Sequence, residues 1–218
     1  MISEFVIIGM GRFGTSLAIH LSRAGHSVLA IDPDEAVVAE LAVDLESVVA
    51  ADATDETALR ELHVDRMGTA IVAIGMDSMQ ASILATALLR QLGVPRIIAR
   101  SLSPLHARVL VAVGAHTVIN PEEEVGRRLA RQLSEPSVLK RYELSSDASL
   151  AEVELPPSFI DRSIRELDVR KNYDVTVLAI RRSGDIKAVE TGEETLRESD
   201  VLVVIGPDDA VRRLAEVS

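Results

Sequence analysis

A glycine-rich turn near the N-terminus narrows the possible folds of this chain more than any other segment. The apolar run Phe5-Val6-Ile7-Ile8 leads directly into three glycines with the spacing G-x-G-x-x-G, at Gly9, Gly11 and Gly14. In a strand–turn–helix unit, the first glycine permits a tight turn, the second lets the backbone approach a pyrophosphate, and the third lets the helix pack on the strand. The N–H groups at the start of that helix then face the phosphates. The segment therefore predicts a nucleotide-binding unit, with a glycine turn kept only for packing as the alternative.

An acidic residue follows the second apolar run at the distance that such a turn predicts. Val28-Leu29-Ala30-Ile31 ends at Asp32, and in dinucleotide-binding folds a carboxylate about 20 residues beyond the glycines hydrogen-bonds a ribose hydroxyl. A second interpretation is that Asp32 caps a helix starting at Pro33, because proline is common at the first helical position.

Up to about residue 120, short aliphatic runs alternate with helix-like segments. The predicted strands are 4–8, 27–31, 47–50, 69–74, 96–100 and 116–119, and the predicted helices lie near 12–24, 34–44, 55–62, 78–92 and 104–112. This alternation, with nearly continuous apolar strands, is typical of an α/β fold with a Rossmann-like, doubly wound parallel sheet. Helix boundaries are indicated by N-terminal caps at Asp34, Ser78 and Ser103 and by glycines at Gly25, Gly93 and Gly114.

The pattern changes after residue 120. Pro121 introduces a helix over 122–135 whose acidic start and later arginines complement the helix dipole. Beyond it, we expect short alternating strands and two helices: Arg141–Leu144, Ala151–Leu155, Asp174–Arg181, Ile186–Ala188 and Val201–Ile205 as strands, with helices at Arg162–Leu167 and Asp208–Glu216. We therefore predict a nucleotide-binding domain over 1–120, a connecting helix or hinge over 121–138, and a smaller α+β domain over 139–218.

Composition excludes several classes of protein. A net charge of −11 argues against a nucleic-acid partner, whose phosphates demand clustered lysine and arginine. No apolar run approaches the roughly 20 residues of a membrane span, and we expect no signal peptide ahead of the first strand. The absence of cysteine excludes disulfides and thiolate metal sites and fits a cytoplasmic protein. Because the chain has no Ser/His/Asp constellation, H-E-x-x-H motif or P-loop lysine, we expect a protein that is not an enzyme.

Several motifs, taken in order, resemble the RCK family, the cytosolic regulators of potassium conductance, and most closely its KtrA and TrkA type. They are Ile8–Gly14, Asp32, Ala51–Thr54, Ala73–Gly75, Gln80–Ser82, Gly114–Glu122, Leu167–Tyr173 and Ala179–Arg182. The resemblance implies an N-terminal Rossmann lobe, a crossover helix and a C-terminal lobe. It also implies a homodimer that assembles into an octameric ring at the inner face of the cell membrane, beneath a membrane-embedded potassium transporter or channel whose ion flux responds to ATP or ADP.

Arg12 and two residues after the third strand refine the predicted nucleotide site. A guanidinium at Arg12 adds bidentate contacts to further phosphate oxygens and so favours ATP or ADP over NAD(H); a surface ion pair is the alternative. Asp52 and Thr54 follow a strand at the sheet edge where ligands bind; the resemblance implies that they line the adenine pocket, and a plain helix cap is the alternative. It also implies that Arg100 faces the phosphates. The predicted site comprises Gly9, Gly11, Arg12, Phe13, Gly14, Asp32, Asp52, Ala53, Thr54, Gly75 and Arg100.

Two further ligands follow from the resemblance alone. It implies that Glu122 helps to hold a hard cation, Mg²⁺ or Ca²⁺, near the phosphates at the dimer interface, whereas a favourable helix-dipole interaction is the alternative. It also implies cyclic di-AMP in the dimer cleft of the C-terminal lobe, near Arg170, Asn172 and Tyr173, with plain dimer packing as the alternative. Two other functions stay open: an NAD(H)-binding redox-sensing regulator or Rossmann oxidoreductase, and a nucleotide sensor serving another cation channel or antiporter.

Overall fold

The structure, a computed structural model, describes residues 3–75 and 78–217. The chain divides into two compact units between Glu123 and Glu124. In the first unit strands and helices alternate: β1 (Glu4–Ile8), α1 (Arg12–Arg23), β2 (Ser27–Asp32), α2 (Glu35–Leu41), β3 (Ser47–Ala50), α3 (Glu56–Glu61), β4 (Thr69–Val72), α4 (Met79–Gln91), β5 (Arg96–Arg100), α5 (Pro104–Ala112) and β6 (Thr117–Ile119). A 3₁₀ turn, Val64–Arg66, precedes β4.

The six strands of the first unit form one parallel sheet in the order β3-β2-β1-β4-β5-β6. This is the doubly wound order, so the predicted Rossmann-like α/β fold is confirmed. The core is aliphatic, and Val6, Ile31, Val72 and Ile97 are fully or almost fully buried. Because the chain winds first to one side of β1 and then to the other, the order reverses between β1 and β4. Ligands of such sheets bind outside the carboxyl ends of the strands at this reversal.

All three predicted N-terminal caps stand at the N-cap of their helices, and two of them make a side-chain capping bond. The Asp34 carboxylate accepts a hydrogen bond from the Ala36 N–H, and the Ser103 hydroxyl accepts one from the His106 N–H. Ser78 makes no side-chain capping bond, because its ψ of 58° departs from the extended backbone of the residues that do cap. The three predicted C-terminal glycines all have positive φ: Gly25, Gly93 and Gly114.

The second unit is the smaller α+β domain that the pattern predicts. After α6 (Pro121–Ser134), within which the division falls, it contains β7 (Val138–Glu143), β8 (Ala148–Glu154), α7 (Ile164–Leu167), α8 (Val169–Tyr173), β9 (Thr176–Arg182), β10 (Asp185–Ala188), β11 (Val201–Pro207) and α9 (Asp208–Ala215). The strands form an antiparallel sheet in the order β10-β9-β11-β8-β7. Phe159, Leu202 and Leu214 lie in its core.

Some boundaries in the second unit differ from the prediction. β7 begins at Val138 rather than Arg141, because the pairing with β8 already starts at Val138. β9 begins at Thr176, since Asp174 has a φ of 60°, in the left-handed region that no strand uses. The short helix α8 was not predicted; it follows Asp168, which is also left-handed, with a φ of 40°.

Helix α6 buries none of its residues. Val125, Leu129 and Leu133, spaced four apart, expose 52%, 51% and 74% of their surface. Such spacing places the three side chains along one face of the helix, the arrangement typical of a packing surface. Within residues 3–75 and 78–217, every helix is too short or too polar to cross a membrane.

Candidate functional site

Two glycines of the turn after β1 are required by the fold itself. Gly9 has a φ of +94°, and a Cβ there would lie 3.0 Å from the Ile74 nitrogen. At Gly14, a Cβ would lie 2.0 Å from the Gly9 carbonyl oxygen, so any side chain would force α1 away from the turn. These contacts press the turn, the start of α1 and the segment after β4 closely together, as the sequence predicts for the first and third glycines.

Gly11 is different, because, apart from its chain neighbours, no atom of the described residues lies within 4 Å of the position that its Cβ would occupy. Its φ of −67° is open to any residue. The fold therefore has no need of glycine at this position. A side chain here would project into the open space before the first turn of α1, which is where a pyrophosphate approaches in folds of this type.

The start of α1 is open to an anion. Gly11 is the N-cap, no side chain caps the first turn, and no acidic residue lies in it, so its N–H groups are left for an outside acceptor. Arg12 is exposed, and among the described residues it makes no hydrogen bond or ion pair, so the expected alternative of a surface ion pair is not found there. Phe13 is half-buried and packs against the core beneath.

Asp32, the last residue of β2, contacts the glycine turn directly. Its Oδ2 accepts a hydrogen bond of 2.6 Å from the Met10 N–H, and its Oδ1 accepts one of 3.0 Å from the Asp34 N–H. The interpretation of Asp32 as a helix cap is wrong, because α2 begins at Glu35 and Asp34 caps it. A carboxylate has about four acceptor positions, so Asp32 retains capacity for a ribose hydroxyl.

The turn after β3 is held by Asp52 and Thr54. Asp52 Oδ1 accepts from the Thr54 N–H at 2.8 Å and from its hydroxyl at 2.7 Å. These two hydrogen bonds lower the pKa of the Asp52 carboxyl below its usual value, so Asp52 is ionised at neutral pH. Neither residue caps α3, because Asp55 accepts from the Thr57 N–H instead; the expected alternative was therefore wrong. Between them, Ala53 is buried in the core.

Asp52 and Thr54 line an open cleft of about 360 Å³. Its other walls come from the residue after Asp32 and from the beginning of α4: Pro33, Ser78, Gln80, Ala81 and Leu84. The sequence did not single out the α4 residues as part of a site, although Gln80-Ala81-Ser82 is one of the segments that carry the family resemblance. The cleft is thus formed by the turns after β2 and β3 together with the start of α4, the helix that follows β4 on the other side of β1.

Gly75 lies beyond the end of β4, next to the glycine turn. The Ala73 N–H donates to the Ile8 carbonyl at 2.7 Å, which ties the segment after β4 to the end of β1. Within the described part of the chain, a Cβ placed on Gly75 would meet no atom of another segment within 4 Å, as at Gly11.

Arg100 and Glu122 lie on the other side of β1. Arg100 ends β5, and its Nη2 forms an ion pair with Oε1 of Glu122 in the first turn of α6. The Arg100 side chain is only 15% exposed, whereas that of Glu122 is 63% exposed. The Nε of Arg100 is buried and has no hydrogen-bond partner among the described residues. The described residues contain no cluster of three or more histidine, aspartate or glutamate side chains suited to a metal ion, so a cation at Glu122 would need ligands beyond those residues.

In the second unit, two of the three residues considered for cyclic di-AMP have structural contacts. Asn172 Nδ2 donates to the Leu167 carbonyl at 2.8 Å, and the Tyr173 ring packs against Phe159 with 5.6 Å between ring centroids. Arg170 is exposed. Cyclic di-AMP binding therefore stays a prediction for this unit.

Comparison with known proteins identifies both units. Residues 5–121 match the family model of the TrkA-N domain, and residues 150–217 match that of the TrkA-C domain. The chain is similar to Ktr system potassium uptake protein A of Bacillus subtilis (strain 168), with 38% identity over 210 residues that cover 96% of this chain and 94% of the relative.

Solved structures agree with this assignment. A structure described as the GsuK channel bound to NAD matches 97% of this chain with a TM-score of 0.64 and 21% identity, a similarity that shows the fold alone. GsuK bound to ADP matches 62% of this chain with a TM-score of 0.51 and 30% identity. The chain spans 38% and 34% of the length of these two channel chains. The resemblance drawn from the motifs is thus confirmed: this chain belongs to the TrkA/Ktr family of potassium uptake proteins, with a TrkA-N and a TrkA-C domain.

Proposed function

We propose that this protein is a nucleotide-sensing regulatory subunit of a potassium uptake system. ATP or ADP binds at the glycine turn, and exchange of one for the other changes ion flux through a membrane-embedded potassium transporter or channel. The observation that supports nucleotide binding most directly concerns Gly11. A Cβ there would meet no neighbouring segment within the described residues, whereas Gly9 and Gly14 are fixed by close approaches. Glycine at this position is explained by a phosphate that must come near the backbone.

Arg12 supports ATP or ADP in preference to NAD(H). Its guanidinium is exposed at the first position of α1 and makes no ion pair with the described residues, so it is available for phosphate oxygens beyond those served by the turn. An NAD(H)-binding redox-sensing regulator or Rossmann oxidoreductase is the second candidate, since GsuK has been solved both with NAD and with ADP.

The proposed role is binding rather than catalysis. The hydrogen bonds from Thr54 lower the pKa of the Asp52 carboxyl and so favour its ionised form, which suits a fixed charge rather than a group that exchanges protons near neutral pH. A nucleotide regulates such a protein only if it binds one conformation more tightly than another. We infer that these conformations belong to a homodimer within an octameric ring at the cytoplasmic face of the membrane.

Two further ligands belong to the same proposal. We infer that Glu122 contributes to a Mg²⁺ or Ca²⁺ site completed by the second protomer, because oxygen ligands suit such cations and this chain offers no complete set among its described residues. Cyclic di-AMP in the dimer cleft of the second unit is the other ligand, and the exposed Arg170 is the residue suited to a phosphate there.

A thermal-unfolding panel tests the proposal. The full chain is heated with ATP, ADP, AMP, NAD, NADH or cyclic di-AMP, each with and without Mg²⁺. A ligand stabilises the folded state by mass action, by about 2.7 kcal/mol at a concentration of a hundred times its Kd. ATP and ADP are therefore expected to raise the midpoint temperature of unfolding more than the other ligands do. A response to NADH without one to ATP would favour the second candidate instead.

A further inference from the structure

The Arg100–Glu122 ion pair joins two side chains in unlike surroundings. Arg100 is largely buried, with a buried Nε that has no acceptor among the described residues, whereas Glu122 is mostly exposed. Glu122 thus serves only part of the hydrogen-bonding capacity of the guanidinium. A ligand with several negative oxygens, such as a phosphate group, would satisfy more of its donors, because a guanidinium binds phosphate in a bidentate fashion.

Strand order indicates which part of a nucleotide Arg100 faces. In the sheet, β2 with Asp32 lies on one side of β1, and β4 and then β5 with Arg100 lie on the other. A nucleotide whose ribose is at Asp32 and whose inner phosphates are at the turn after β1 extends its outer phosphate over β4, towards β5. Neighbouring strands are about 4.8 Å apart, so β5, the second strand from β1, is roughly 10 Å away from it. The third phosphate of ATP shortens the remaining distance between the bound nucleotide and Arg100.

We propose that Glu122 stands in for the terminal phosphate of ATP when no nucleotide is bound. ATP, but not ADP, takes over Arg100 and releases Glu122 and the first turn of α6. The ion pair is then an internal competitor that sets the preference of the site for ATP over ADP. This inference rests on the proposed nucleotide binding and adds a specificity-determining pair to it.

Isothermal titration calorimetry on the full chain tests this proposal. ATP and ADP are titrated into the wild type and into Glu122→Gln, in EDTA so that no divalent cation occupies Glu122. Removal of the competing carboxylate is expected to lower the Kd of ATP about two- to fivefold, the factor that corresponds to the strength of an exposed ion pair. The Kd of ADP is expected to stay unchanged. The ratio of ATP to ADP affinity therefore rises.

Three variants distinguish displacement from a general loss of negative charge. Glu124→Gln removes the same charge from an exposed position in the same helix and is expected to leave the ratio unchanged. Arg100→Gln is expected to weaken the binding of ATP more than that of ADP. In a protein that already carries Arg100→Gln, the further change Glu122→Gln is expected to leave both affinities unchanged. If circular dichroism shows that the glutamine variant does not fold, Arg100→Lys is the background instead. Because lysine keeps the charge but loses the bidentate geometry, the effect of Glu122→Gln is then expected to shrink rather than vanish.

The proposal would be overturned if Glu122→Gln tightened the binding of ATP and of ADP equally. It would also be overturned if Glu122→Gln tightened ATP binding as much in the Arg100→Gln background as in the wild type. ATP binding that Glu122→Gln leaves unchanged would overturn it too, and in that case nucleotide binding itself would stand. A wild-type chain that binds no ATP would overturn both.

Discussion

Three glycines in one turn meet two different demands. A Cβ at Gly9 or Gly14 would lie 3.0 Å or 2.0 Å from the protein's own backbone, whereas a Cβ at Gly11 would meet no other segment of the described residues within 4 Å. The same substitution at Gly11 and at Gly14 should therefore affect different properties. The first should impair ligand binding, and the second should impair folding.

Gly14→Ala is expected to lower the free energy of unfolding by about 2–3 kcal/mol, because the added methyl group overpacks a fixed contact. Gly11→Ala is expected to change it by less than about 1 kcal/mol, the range for replacement of an N-cap glycine, but to reduce the stabilisation by ATP. Thermal unfolding with and without ATP measures both effects. A Gly11→Ala protein with wild-type ATP response would contradict the assignment of Gly11 to the ligand.

For the residues of the candidate site, the sequence predicted their places along the strands and turns better than their contacts. The spacing of Asp32 from the glycines predicted its position at the turn, because the strand–turn–helix geometry is local. The cap of α3 could not be chosen, since Asp52, Thr54 and Asp55 all have capping side chains and the outcome depends on the residue at which the helix begins. The pairing of Arg100 with Glu122, 22 residues apart, depends on how β5 and α6 come together, which no local pattern contains.

Among the elements of the second unit, β9 and β11 are joined by a buried ion pair. Asp200, directly before β11, is 2% exposed and accepts two hydrogen bonds of 2.7 Å from Arg182 at the end of β9. The Arg197 N–H donates a third, at 2.8 Å. The bonds from Arg182 lower the pKa of the Asp200 carboxyl below its usual value. Ionised Asp200 therefore holds the end of β9 against the loop that leads into β11.

Asp200→Asn is expected to lower the stability of the second unit by about 2 kcal/mol at neutral pH, since hydrogen bonds to a charged group are lost. Because the folded-state pKa is lower than the unfolded one, the wild type has the full contribution above about pH 4 and loses it as the pH falls through the folded-state value. The difference between wild type and variant should stay constant down to about pH 4 and shrink as the pH falls further.

Urea unfolding followed by tyrosine fluorescence measures this difference in the second unit, since Tyr142 and Tyr173 are the two tyrosines of a chain without tryptophan. Asp185→Asn, at an exposed position at the start of β10, is the matched control and should match the wild type. A difference that stays constant with pH would contradict the role of the ionised carboxylate.

The whole molecule carries an apolar stripe that the single chain leaves uncovered. Val125, Leu129 and Leu133 follow one face of α6, a helix without a buried residue. The change from alternating strands and helices to short antiparallel strands predicted two units from sequence, and the amphipathic α6 lies across their division. The proposed homodimer would bury this stripe, which accounts for its composition.

Leu129→Glu is expected to reduce the assembled mass measured by light scattering after gel filtration, because it places a charge in the middle of the stripe. Ser134→Glu adds the same charge to the same helix, about 140° around its axis from Leu129, and should leave the mass unchanged. An unchanged mass for Leu129→Glu would show that α6 takes no part in assembly.

The bond from Met10 to Asp32 has a consequence for the speed of the proposed sensor. Since the turn is already tied to β2 before a nucleotide arrives, binding orders little further backbone and loses little conformational entropy. The association rate constants of ATP and ADP should then be much the same, and any difference in affinity should come from their dissociation rate constants. The residence time of the bound nucleotide would set how quickly potassium uptake follows a change in the energy state of the cell.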